Sequence, residues 1–234
     1  MRRMVWVLGL LAVAGTLAPA WGWGQTAESQ PDKDGVYSMG KGMTPATLVH
    51  ATPAEYPSDP SLATVKHVVA VRVVIGADGT PGKMELLNAH ASPFDDAAIA
   101  AVKASQFAPG SYKGDPAPTR AMVWVPFVGD EKLAVPSTLS ILRKDLSVPK
   151  PLNSVQAEFP AEARKDKVSE GDVLVHMLVT EDGRPSEIHL ITAGGHGFDE
   201  AALKAAWEYR FEPAKLYGIP VPFDTILEVH FKRS

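Results

Sequence analysis

Between residues 173 and 231 the apolar positions change period twice. Val173, Val175, Met177 and Val179 alternate with Leu174, His176 and Leu178, and Val173, Val175, Met177 and Val179 form the more uniform set. A period of two predicts a strand with one buried face. Asp182-Gly183 follows, a pair that supports positive φ in a hairpin turn, and Ile188 and Leu190 carry a second, antiparallel strand. Gly194-Gly195-His196-Gly197 ends it, after which Phe198, Ala201, Ala202, Ala205 and Ala206 recur at helical spacing. Asp199 and Glu200 fall in that helix's first turn, where carboxylates suit the dipole, and Glu212-Pro213 is expected to close it. After Gly218 and Pro220, alternation resumes from Ile226 to Phe231 as a third strand. Upstream, Ala161 to Lys167 has helix formers behind Pro160 and predicts a short first helix.

The same text occurs earlier in the chain. Ala54-Glu55-Tyr56-Pro57 returns as Ala157-Glu158-Phe159-Pro160, Asp78-Gly79 as Asp182-Gly183, and Phe94-Asp95-Asp96-Ala97-Ala98 as Phe198-Asp199-Glu200-Ala201-Ala202. Phe107 and Pro109 return as Phe211 and Pro213, and Val125-Pro126-Phe127 as Val229-His230-Phe231, at a constant offset of 104 from Val69 onward. Ordered matches at one offset indicate an internal duplication. The expected fold is α+β: two tandem small domains, each helix-strand-strand-helix-strand, with a three-stranded sheet and its helices on one face. The crossover rule puts the third strand beside the first, at a sheet edge.

Composition narrows the setting. Hydrophobic residues make up 45% of 234 positions, enough for packed cores. Twenty-seven acidic against 23 basic residues leave a net charge of −4, which offers no attraction to nucleic-acid phosphates or anionic membranes. Residues 1–20 read as a signal peptide: Arg2 and Arg3, an apolar stretch from Val5 to Ala18, and Ala18-Pro19-Ala20 for cleavage. An uncleaved anchor with Trp21 and Trp23 at the lipid interface is the alternative. Either places the protein in the periplasm or cell envelope. Without cysteine, both domains hold by packing alone. The division expected is a flexible lead-in over 21–34, a first domain over 35–128, a linker over 129–149 and a second domain over 150–234.

Phe159-Pro160, Gly171, Asp182-Gly183, Tyr209-Arg210-Phe211 and Pro213 make the second copy resemble the C-terminal domain of TonB-family proteins across nearly its whole length. The first copy resembles a diverged version, with His67 in place of Gly171 and Ser105-Gln106-Phe107 in place of Tyr209-Arg210-Phe211. Val36 to Gly42 resembles the lead-in of tandem exported members. The resemblance implies a non-enzymatic module that adds an extended segment of an outer-membrane receptor to its sheet, in TonB-dependent transport. Strand addition takes affinity from an edge strand's backbone and specificity from alternate side chains. The candidate receiving edge is Thr225, Ile226, Leu227, Glu228, Val229, His230 and Phe231 in copy two, and Met122 to Phe127 in copy one, where Pro126 removes a donor. Members that couple to an inner-membrane motor carry a histidine in an N-terminal helix and a long proline-rich spacer. The first 24 residues here hold no histidine and the lead-in is short, which favours an envelope interaction protein over a transducer.

Residues suited to other chemistries are present but sparse. His176, His189 and His230 fall on three strands of copy two, all out of phase with the core, and three converging imidazoles would suit zinc; a partly solvated contact face is the simpler account. Copy one has Arg72, Glu85 and Pro126 there, so a metal role is not shared. The Asp-Gly pairs lack a calcium ladder, and Gly194 to Gly197 lacks the phosphate-loop pattern. No nucleophile triad, HExxH motif or paired carboxylates point to an enzyme, and no cofactor, nucleic acid or small-molecule substrate is expected. A self-associating scaffold or homodimer, its edges pairing with each other, is the alternative to peptide capture.

Overall fold

The computed structural model describes residues 31–38, 42–58, 65–88, 92–128 and 146–233. The expected signal peptide lies outside these residues, as does most of the expected linker. The chain forms two compact units, one containing copy one and the other Ser147–Lys215 with Pro220–Ser234.

In copy one, β1 (Lys66–Ile75), β2 (Pro81–Leu86), α1 (Pro93–Ala104) and β3 (Thr119–Val128) follow in order. In copy two, α2 (Ala161–Lys165), β4 (Glu170–Val179), β5 (Pro185–Thr192), α3 (Phe198–Glu208) and β6 (Phe223–Lys232) do the same. The sheets run β2-β1-β3 and β5-β4-β6, every pairing antiparallel. The long pairings keep one register: Ile75 faces Thr119, and Val179 faces Phe223, 104 positions later in each case.

One face of each sheet carries its helix. In copy two the core is Val173, Val175, Met177 and Val179 from β4, Leu227, Val229 and Phe231 from β6, and Phe198, Ala202, Ala205 and Ala206 from α3. The alternation therefore predicts the residues packed against the helix, while Leu178 in the opposite phase is buried as well. Phe198 lies between Phe159, 5.5 Å away edge-on, and Phe231 at 4.8 Å. The backbone of Gly171 passes under this ring, where a Cβ would come within 2.7 Å of it. Copy one repeats the stack with Tyr56, Phe94 and Phe127 at 5.5 and 4.8 Å, and there the His67 ring tilts against Phe94 at 5.3 Å. The substitution of His67 for Gly171 is thus absorbed at the edge of an aromatic cluster.

The strand-to-helix turn is held by a carboxylate. Gly197 caps α3 with φ of 79°, and Asp199 accepts the N–H groups of Gly194 at 2.6 Å and Gly195 at 3.3 Å. Asp199→Ala leaves those donors without that acceptor and is expected to cost copy two about 1 kcal/mol in urea unfolding.

Two features differ from the sequence expectation. Helix α3 ends at Glu208, four residues before Glu212-Pro213. Asn153 competes for the helix end: its Nδ2 donates to the Glu208 carbonyl at 2.8 Å and its Oδ1 accepts the Arg210 N–H at 2.7 Å. Arg210 lies past the last turn, where Nη1 donates to the carbonyls of Trp207 at 3.0 Å and Tyr209 at 2.6 Å. Second, short strands fill the path from helix to third strand; Phe211–Glu212 pairs with Lys150–Pro151, and Gln106–Ala108 of copy one with Thr47–His50. The first helix expected in copy one, at the positions matching Ala161–Lys165, falls largely on residues 59–64, which lie outside the described residues.

Candidate functional site

In an antiparallel ladder each residue turns its N–H and C=O to one side and the next residue turns them to the other. The Leu174 N–H donates to Thr192 Oγ1 on β5 at 2.8 Å. Leu174, His176 and Leu178 therefore face β5, and Val173, Val175, Met177 and Val179 face β6. Their register partners Val229, Leu227, Thr225 and Phe223 must turn inward to meet them. Ile226, Glu228 and His230 then point their backbone groups away from β4, along the outer side of the last strand in the sheet.

Side chains follow the same division. Thr225, Leu227, Val229 and Phe231 are buried, Ile226 and Glu228 are half-buried, and His230 is exposed. Of the seven predicted edge residues, four turn toward β4 and the core and three turn their backbone groups outward. An extended β6 of ten residues, longer than the predicted run from Thr225 to Phe231, carries this ladder.

Charges line the outward positions. His230 Nδ1 pairs with Asp172 across the strands, and Glu228 sits beside them. Burial pushes the Glu228 carboxyl up, the Asp172 charge pushes it further, and His230 partly offsets both. An acid with a raised folded-state pKa holds its proton better folded than unfolded, so its ionisation removes stability as pH rises through that value. Glu228→Gln is therefore expected to raise the melting temperature by about 1–2 °C at neutral pH and not at all near pH 3, where both states are protonated.

The family-motif residues lie elsewhere, around the hairpin turn and the helix end. Gly183 has φ of 75°, accepts the Phe211 N–H at 2.9 Å, and leaves no room for a side chain: a Cβ would sit 1.9 Å from the Phe211 carbonyl oxygen. Pro213 flanks the same contact. Asp182 stabilises the turn through Thr180 and Arg184, and the Thr180 hydroxyl, ahead of Arg184, holds its carboxyl below the usual range. Tyr209 is fully buried and donates to the Val155 carbonyl at 3.2 Å, its phenol pushed up by burial. Pro160 precedes α2 and Phe159 packs on Phe198. These residues build the scaffold that aims β6.

The three histidines do not converge. His176 and His189 face each other with ring centroids 4.4 Å apart, and His176 Nε2 lies 3.3 Å from Asp224. His230 is opposite Asp172, whereas His176 is opposite Ile226; four residues along a strand separate them by about 13 Å. Sharing a sheet face places side chains on one side without bringing them to one point. Among the described residues no group of three or more His, Cys, Asp or Glu could hold a metal ion.

In copy one the outer strand is β3. The Ala70 N–H donates to Asn88 Oδ1 at 2.7 Å, and the Ala70 carbonyl accepts the Leu87 N–H at 2.9 Å, so alternate residues of β1 face β3 as in copy two. Arg120, Met122, Trp124 and Pro126 make up the outward set. Pro126 falls in it and supplies no donor to that side.

The family model for the Gram-negative bacterial TonB protein C-terminal region matches twice, over residues 52–128 and 155–233, together two thirds of the chain. The chain belongs to the TonB C-terminal family. Its two sheets are a tandem pair of these domains. TonB C-terminal domains are protein-interaction domains of the Gram-negative envelope. No curated protein matches the chain. Among the described residues of this tandem TonB-type chain, no helix is long and apolar enough to cross a membrane.

Proposed function

We propose that the second domain binds an extended segment of a partner protein by adding it as a strand outside β6, and that the partners are periplasmic segments of outer-membrane receptors in TonB-dependent uptake. The observation that supports this most is the outward set Ile226, Glu228 and His230 on a strand of ten residues at the end of its sheet. An added strand takes its affinity from those backbone groups, and its alternate side chains meet the partly apolar, partly charged positions beside them. No catalytic step enters this account. The protein acts in the periplasm, exported by residues 1–20, as an envelope interaction protein.

The test is capture of outer-membrane barrel receptors from envelope extract by the intact protein, with Glu228→Pro as control. Enrichment of such receptors by the intact protein, reduced at least tenfold by the substitution, is the expected result. Folded protein that captures no barrel receptor but pairs with its own copies would replace this reading with the scaffold.

A further inference from the structure

The outer edge of β3 is not bare at its first residues. Tyr37 forms a parallel bridge with Thr119: the Tyr37 N–H donates to the Pro118 carbonyl at 2.9 Å, and the Arg120 N–H donates to the Tyr37 carbonyl at 3.1 Å. The segment that brings Tyr37 there is a small closed loop. Pro31 bridges Tyr37, the Asp32 N–H donates to the Val36 carbonyl at 3.0 Å, and Gly35 with φ of 75° turns the chain. The Asp32 carboxylate organises it, accepting the N–H groups of Asp34 at 2.8 Å and Val36 at 3.0 Å through Oδ1, while Oδ2 pairs with the Arg120 guanidinium. Arg120 also reaches Ser38 Oγ at 3.1 Å, and the Tyr37 ring stacks on Tyr112 with centroids 4.8 Å apart. The Val36 amide, with smaller help from Asp34 and Arg120, holds the Asp32 carboxyl below its usual range despite some burial, which favours the charged form that pairs with Arg120.

We propose that the start of β3, with Arg120 and Tyr112, is an acceptor site for a turn-closed segment bearing a carboxylate five residues before an aromatic ring, and that the chain's own residues 31–38 fill it as a strap. The site uses main-chain pairing for affinity, Arg120 to select the carboxylate and Tyr112 to select the ring. It is separate from β6, and stands whether or not the second domain captures a partner. Copy one is closed to other segments at Pro118–Arg120 while the strap is in place. Beyond it, Pro126 already weakens the same edge, so the two domains have different roles: one edge held in cis, the other offered.

The probe is the octapeptide of residues 31–38 with blocked termini, added to the full chain and to a variant lacking those residues. Amide shifts of Thr119 and Arg120 report binding. The expected result is saturable binding to the strapless variant, at least tenfold weaker for the intact protein and at least tenfold weaker again when Arg120→Ala is placed in the strapless chain. Equal binding to strapless and intact protein, or none to a folded strapless variant, overturns the proposal. If deletion unfolds copy one, amide exchange in full-length Tyr37→Ala and Asp32→Ala decides: the Arg120 amide should exchange at least tenfold faster than in the parent, and unchanged exchange overturns the strap. Dimers of the intact protein that disappear on deletion would put the strap on a neighbouring chain and overturn its assignment in cis.

Discussion

Gly183→Ala is expected to destabilise the second domain by about 4 kcal/mol without abolishing its fold. The residue combines a left-handed φ of 75° with a close approach in which any Cβ would lie 1.9 Å from the Phe211 carbonyl oxygen. The conformation alone costs a non-glycine residue about 1 kcal/mol. Relieving the overlap requires moving Phe211, which would break its 2.9 Å bond to the Gly183 carbonyl and shift a buried ring. Together these cost about 4 kcal/mol, a large share of the 5–15 kcal/mol that holds a typical domain. Gly195→Ala is the control, since Gly195 has φ of 63° with nothing within 4 Å of its would-be Cβ. It should lose only about 1 kcal/mol. Urea unfolding of both variants separates the close approach from the torsion. Gly79, whose Cβ would fall 2.4 Å from the Phe107 carbonyl, should behave like Gly183 in the first domain.

That contact also explains why Asp-Gly, Phe and Pro recur together in the two copies. The hairpin turn rests on the strand after the helix, so the turn glycine, the phenylalanine backbone and the proline two positions later form one joint. The sequence shows them as separate matches at a fixed offset. Alternation from Val173 to Val179 reveals the first strand and its buried face, because a period of two has few other causes. The third strand's place beside the first follows from the crossover rule. The helix end does not follow from local signals, since Asn153, more than fifty residues away, takes the carbonyl of Glu208 and draws the chain out before Glu212-Pro213. The histidines mislead for a related reason: periodicity gives the face of a sheet, and only register gives the distance along it. Tyr37 is invisible as a partner of β3 because its segment has no alternation; it docks through a turn closed by the Asp32 carboxylate, not through an apolar face.

The second large effect concerns β6 and depends on which way each residue's N–H points. Glu228→Pro removes a donor from the outward side and is expected to abolish partner capture, at least tenfold, while leaving the fold within about 1 kcal/mol of the parent. Copy one already tolerates this arrangement, since Pro126 sits in the outward set of an intact β3. Leu227→Pro, one residue earlier, removes an inward bond to β4 and a fully buried side chain. It should destabilise the domain by about 3 kcal/mol or more, losing capture by unfolding it. Circular dichroism melts beside capture assays separate the two. If both variants lose only the partner, or both lose the fold, the assigned strand polarity is wrong.

The most direct measurement is residue-resolved amide exchange across β6, with and without a saturating periplasmic segment from a captured receptor. Strand addition predicts at least tenfold slower exchange at alternate amides, Ile226, Glu228 and His230, with little change at Thr225, Leu227 and Val229, already bonded to β4. Saturating binding that leaves those three outward amides unprotected would contradict strand addition at this edge.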